Sequence, residues 1–237
     1  MDSALIEARG LDKAFGPSPV LRGVDLEVAA GAGAMIVGRN GSGKSTLIRI
    51  LAGLSAASAG EARLFGRPVR ALGPSDRRRI GLVTHESFLY PNLTARENLE
   101  FHGDLYRLRH DANLIGQWLG RVGLAAAAEA RVRTFSRGME QRLAIARAML
   151  PLPAVLLMDE PFAALDLEGV GTVTALLEEA LRRGCALLLT AHQAAPLGRL
   201  PLTAYELVRG RLRLIGEAPA EAAASPPSQR RAASGWD

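Results

Sequence analysis

The amino-acid sequence predicts an α/β fold: a mixed, mainly parallel sheet carrying a phosphate-binding loop, with an antiparallel β subdomain and a helical subdomain. Three observations carry that prediction. Residues 38 to 45 read Gly38-Arg39-Asn40-Gly41-Ser42-Gly43-Lys44-Ser45, set between a strand-like run, Ala34 to Val37, and a helix-like one, Thr46 to Leu51. Further on, Val155 to Met158, Val170 to Leu181 and Cys185 to Thr190 alternate strand, helix and strand, the order that builds a parallel sheet. Between these, from Thr94 to about Leu150, the apolar spacing is helical, as in Leu99, Phe101, Leu105 and Leu108.

In chain order, Ala4 to Ala8 and Val20 to Val28 read as antiparallel strands joined by a loop containing Phe15-Gly16-Pro17 and Pro19. In the octapeptide that follows, the glycines let the backbone turn with positive φ and point successive N–H groups at a phosphate, and the next helix adds the positive end of its dipole. Lys44 then reaches the β- and γ-phosphates and Ser45 ligates Mg²⁺, so Gly38 to Ser45 and the adjoining Thr46 predict a nucleoside triphosphate site. Strands are expected near Glu61 to Phe65 and Ile80 to Thr84. The apolar strand Val155 to Met158 delivers Asp159 and Glu160 at its C-terminal edge, where ligands of open α/β sheets sit. There Asp159 is suited to hold Mg²⁺ and Glu160 to polarise a water against the γ-phosphorus. Two short strands, Ala204 to Val208 and Arg211 to Ile215, close a domain of residues 1–216, with its helical subdomain at about 86–150. The Ala, Pro, Ser and Arg composition of residues 217–237 predicts a disordered tail.

At 237 residues and 48% hydrophobic content the chain has one sizeable core and no room for two full nucleotide-binding domains. No apolar run approaches the roughly 20 residues that cross a bilayer, and the acidic start is unlike a secretory leader, so a cytoplasmic, soluble or peripheral protein is expected. Cys185, the single cysteine, lies in an apolar run and reads as a buried, inert thiol. The net charge of +5 is spread over scattered arginines. The one cluster, Arg77-Arg78-Arg79, reads as a solvated face, and no nucleic-acid partner is expected.

Phe135-Ser136-Arg137-Gly138-Met139-Glu140-Gln141-Arg142 resembles the signature motif of ABC-type ATPases. Ala164-Leu165-Asp166, and His192 just past the strand ending at Thr190, resemble two further motifs of that family in the same order. The resemblance spans residues 4 to 216 and implies an ATP-hydrolysing domain of the ABC P-loop type. It implies Glu160 as catalytic base, His192 orienting the γ-phosphate, Phe15 stacking on adenine or else simply packing, and Asp166 bridging paired domains. Ser136 and Gly138 open a helix that would bind the γ-phosphate held by a second copy, so two ATP molecules would be clasped between two chains. Arg137 and Met139 depart from the commonest signature, which has Gly and Gln there. His85 stands where most of the family has Gln; a neutral imidazole can accept from the attacking water or approach Mg²⁺, whereas an imidazolium cannot.

The run from Gly81 to Leu99, with Ser136 to Met139, is similar to the ATP-binding subunits of the haem exporter used in cytochrome c maturation. That likeness implies a peripheral protein on the cytoplasmic face of the inner membrane, docked to a polytopic permease subunit through a groove near Phe88, Leu89 and Tyr90. Other exporters of drugs, lipids or small molecules share much of the pattern. A soluble ABC-type ATPase of cofactor assembly or DNA repair would share every nucleotide-site residue, and a regulatory ATP sensor would share most.

Overall fold

A computed structural model describes residues 4–108, 112–192 and 200–216. The chain begins with β1 (Ala4–Phe15), β2 (Ser18–Ala29) and β3 (Gly33–Val37), then α1 (Lys44–Leu51). Next come β4 (Ala59–Leu64), β5 (Arg67–Pro68), a short α2 (Pro74–Arg77) and β6 (Ile80–Val83). Three helices follow, α3 (Ala95–Leu105), α4 (Ala112–Arg121) and α5 (Arg137–Met149). The chain returns through β7 (Val155–Met158), α6 (Leu167–Arg182) and β8 (Ala186–Ala191) to β9 (Leu202–Val208) and β10 (Arg211–Gly216).

Two sheets form. One is antiparallel and four-stranded, ordered β2-β1-β4-β5; the other is six-stranded, ordered β10-β9-β3-β8-β7-β6. Within the second, β3 pairs in parallel with β8 and β9, and β7 with β6 and β8, while β10 alone runs antiparallel to β9. Whereas β10 at the edge, Arg211-Leu212-Arg213-Leu214, is largely exposed, the central strands β3, β8 and β7 are covered on both faces and are apolar almost throughout rather than alternating. Their period of two sorts the side chains to opposite sides. Met35, Val37, Leu156, Met158, Leu187 and Leu189 join a core with the helical segment and α6. Ala34, Ile36, Val155, Leu157, Ala186 and Leu188 join a second core with α1 and the antiparallel sheet.

The elements differ from the sequence reading mainly at their ends. β1 and β2 extend as far as Phe15 and back to Ser18, pairing those two residues across the Gly16-Pro17 turn; register shifts near Gly10 interrupt the period-two pattern that would have marked the longer strands. The helical stretch from Thr94 is three helices separated by irregular chain, held at its base by a bridge between Thr94 and Arg131. α5 begins at Arg137 and α6 at Leu167, each straight after the residue that caps it, Ser136 and Asp166. The expected tail, 217–237, lies outside the described residues. Cys185 is buried, and burial pushes its thiol up to about 12, so it stays protonated and unreactive. No helix among the described residues is long and apolar enough to cross a membrane.

Candidate functional site

Strand order assembles the site. β3, β8, β7 and β6 are successive neighbours running the same way, so the chain leaving each C-terminal end emerges on one edge of the sheet. β3 releases the phosphate-binding loop, β6 releases His85, β7 releases Asp159 and Glu160, and β8 releases His192. Asn40, Gly41, Ser42, Lys44, Ser45, His85, Glu160 and His192 line one cavity of about 280 Å³ there.

Gly43 precedes α1 with φ of 109°, a left-handed conformation that an L side chain rarely adopts. No side chain caps the helix and no acidic residue occupies its first turn, whereas α3, α5 and α6 are capped by Thr94, Ser136 and Asp166. The first N–H groups of α1 are therefore left for an external anion. Lys44, 4% exposed, donates to the carbonyls of Gly38 at 2.7 Å and Arg39 at 3.3 Å, which spans its ammonium across the loop. Ser42 Oγ is buried without a hydrogen-bond partner among the described residues. A buried hydroxyl, a buried ammonium and open helix N–H groups around one cavity are a donor set that fits a polyphosphate.

The carboxylates are held from below. Asp159, 3% exposed, accepts from Thr190 Oγ1 at 2.6 Å through Oδ1, and its N–H donates to Val83 O at 2.8 Å, tying β7 to β6. Thr190 Oγ1 in turn accepts the N–H of Glu160 at 3.0 Å, and Glu160 sits at φ of 51°. One Glu160 oxygen lies 3.6 Å from Lys44 Nζ and the other 3.0 Å from His192 Nε2, so the carboxylate is suspended between two nitrogen groups at the cavity wall. Asp159 Oδ2 faces His85 Nε2 at 3.6 Å. With Ser45 on the same wall, these oxygens fit a hard divalent cation.

Thr190 is a site residue that sequence reading passed over. It is the polar end of an otherwise apolar strand, buried and bonded to both acidic neighbours, and a hydroxyl ending such a run was the available signal.

Other expected residues lie apart from the cavity. Phe15 is exposed at the tip of the β1–β2 hairpin, with Lys13 Nζ 4.7 Å from its ring centre. Ser136 Oγ caps α5 by accepting from Met139 N–H at 3.2 Å, and a Cβ on Gly138 would stand 2.9 Å from Ala164 O, so α5 and the 161–166 loop are packed backbone to backbone. Gln141 Nε2 reinforces that contact by donating to Pro161 O at 3.1 Å. Asp166 caps α6 through Gly169 N–H at 2.8 Å.

From β6 to α3 the chain is pinned from several sides. Ser87 Oγ donates to Glu140 of α5 at 2.6 Å, and Arg147 Nη2 donates to Leu82 O at 2.6 Å. His102 Nε2 lies 3.1 Å from Phe88 O, and buried Asn98 accepts from Tyr90 N–H at 2.7 Å while donating to Tyr90 O at 3.0 Å. Phe88 and Tyr90 are 43% and 47% exposed, whereas Leu89 packs on the core of the helical segment.

A family model described as "ABC transporter" matches residues 21–163. The chain is 35% identical over 196 residues to cytochrome c biogenesis ATP-binding export protein CcmA 2 of Cupriavidus metallidurans, covering 83% of this chain and 93% of that relative. It is 33% identical over 234 residues to the glutamine transport ATP-binding protein GlnQ of Escherichia coli, covering 95% and 96%. A dimeric post-hydrolysis structure of the ATP-binding cassette MJ0796 bound to ADP and Pi superposes with a TM-score of 0.79 at 27% identity, covering 89% of this chain and 98% of that one. With its fold, its phosphate-binding loop and these similarities, the chain belongs to the ATP-binding subunits of the ABC transporter family.

Proposed function

We propose that this chain hydrolyses ATP to drive a separate polytopic membrane subunit, and that the transporter is the haem exporter of cytochrome c maturation. The observation that carries the hydrolytic reading is Glu160, suspended between Lys44 and His192 at the wall of the phosphate cavity. The triphosphate lies along Gly38 to Thr46, its charge met by Lys44, by the α1 N–H groups and by Ser42. Glu160 takes a proton from the attacking water, and His192 donates toward the γ-phosphate oxygens. Thr190 keeps Glu160 and Asp159 in register. Ser45, Asp159 and His85 would hold the divalent cation of the nucleotide, Mg²⁺ where no transition ion competes, and it would neutralise phosphate charge. Phe15 stacks on the adenine.

The signature residues lie off the cavity of their own chain, which supports a head-to-tail pair in which Ser136 and Gly138 of one copy meet the γ-phosphate of the other, with Asp166 at the junction. That the MJ0796 structure is itself dimeric supports pairing of two copies. Closure would move the helical segment, and exposed Phe88 and Tyr90 would grip a helix of the membrane subunit at the cytoplasmic face. The haem reading rests on likeness to the CcmA proteins, while a comparable likeness to GlnQ keeps another transporter as the second reading.

Two measurements test these levels separately. Light scattering of a Glu160→Gln variant with Mg²⁺ and ATP should find dimers; a monomer under saturating nucleotide overturns the clasp. Purification with native lipids should bring down a polytopic protein with a haem absorption band, and a complex free of haem overturns the finer assignment.

A further inference from the structure

We propose that His85 and Asp159 form a nitrogen-containing cation site that takes first-row transition dications in preference to Mg²⁺. The proposal rests on the nucleotide-site reading only for what fills the remaining coordination positions. His85 Nε2, one oxygen of Asp159 and one of Glu160 all lie within 4.8 Å of one another. Of these, Glu160 is engaged on both oxygens, by Lys44 and by His192, so the pair with a shared open side is His85 and Asp159. Their facing atoms are 3.6 Å apart.

That separation lets both atoms reach one ion, and the ligand types, more than the distance, decide which ion is preferred. Ligands at about 2.0–2.2 Å around a tetrahedral centre stand about 3.3–3.6 Å apart, the spacing of nitrogen- and oxygen-ligated Zn²⁺. Adjacent ligands of octahedral Mg²⁺, at about 2.0–2.1 Å, stand only about 2.9 Å apart. The Asp159 side is rigid, because Thr190 Oγ1 occupies Oδ1 and leaves Oδ2 turned to the imidazole; a ligand carboxylate oriented by its own hydrogen bond is the usual support of such centres. The His85 side is adjustable, since its side chain is 65% exposed beyond the end of β6. Mg²⁺ prefers oxygen donors, whereas imidazole suits Zn²⁺, Co²⁺ and their neighbours. The open positions face the cavity that Ser45 and Lys44 line, so phosphate oxygens or water complete the sphere.

The test is a Co²⁺ titration of the full chain followed by visible absorption, with and without a non-hydrolysable ATP analogue, together with pulsed electron paramagnetic resonance of bound Mn²⁺. The parent should bind Co²⁺ more tightly than Mg²⁺ and show nitrogen coupling to Mn²⁺. His85→Gln, checked for folding by circular dichroism, should weaken Co²⁺ about tenfold or more and lose the coupling. Equal Co²⁺ affinity in parent and variant overturns the proposal, as does coupling that vanishes in His192→Ala but survives in His85→Gln. Co²⁺ bound through His85 in a chain that fails to bind the ATP analogue would uphold this site while refuting the nucleotide reading.

Discussion

The first turns of α1 and α5 are both assigned a phosphate, yet the chain finishes them differently. α1 starts on a left-handed glycine with no side-chain cap, and its lysine is already buried across the loop. α5 starts on Ser136, whose hydroxyl satisfies the Met139 N–H, and lines no part of the phosphate cavity. One half-site is thus finished within the chain and left open to an anion. The other is closed upon itself within the chain, and in the proposed clasp a second molecule would have to present a stronger acceptor. A helix start is an anion site only when nothing local has already satisfied it.

If that contrast is right, Ser136→Ala should separate the two halves. Hydrolysis should fall by about 10²-fold, the effect of losing one donor to a developing charge, while nucleotide affinity of the monomer stays at the parent value. Comparable losses in both, read by phosphate release and by fluorescent nucleotide titration, would place Ser136 on its own chain's phosphate. Lys44→Ala should do the reverse, weakening nucleotide binding to the monomer by about ten- to a hundredfold through loss of a charge-assisted contact.

The third test concerns the pinned segment between the half-sites. Asn98→Ala strips the Tyr90 N–H of its partner, leaves Tyr90 O only the bond from Leu93 N–H, and should lower stability by about 1–3 kcal/mol in urea unfolding. Asp166→Ala should cost about 1 kcal/mol as a lost α6 cap in the monomer, before any dimer forms. The smallest expected effect is in pH. Burial, followed by the charge of Arg147, holds His102 below its ordinary 6.5, outweighing its contact with the Phe88 carbonyl. Above that value neither folded nor unfolded chain carries the proton; below it the unfolded chain takes one up first, so stability falls with acid. Urea midpoints should drop between about pH 7 and about pH 5.5, and the drop should shrink in His102→Gln.

Much of the phosphate half was readable because its chemistry is local. Eight consecutive residues specify the turn, the donors and the helix start, and the apolar four before Asp159 specify the strand that presents it. Other features are set by neighbours distant in sequence. Thr190 matters because β8 lies beside β7, Asn98 because the 90–94 segment folds back over α3, and Asp166 acts first as a cap that sequence reading had assigned to a bridge. β1 was read short because register shifts break the alternation that marks a strand.

Sequence alone determined the octapeptide, the acid pair and the order of the motifs, since each depends on backbone permissiveness or on side-chain chemistry at fixed spacing. Tertiary structure decided that His85, Asp159, Glu160 and His192 converge beside Lys44, because only the parallel order β3-β8-β7-β6 brings four separate strand ends to one edge. It also decided that the start of α5 lies away from that edge. Hydrogen-bond pairing between strands, which no local pattern encodes, sets the first outcome, and packing of α5 on the 161–166 loop sets the second.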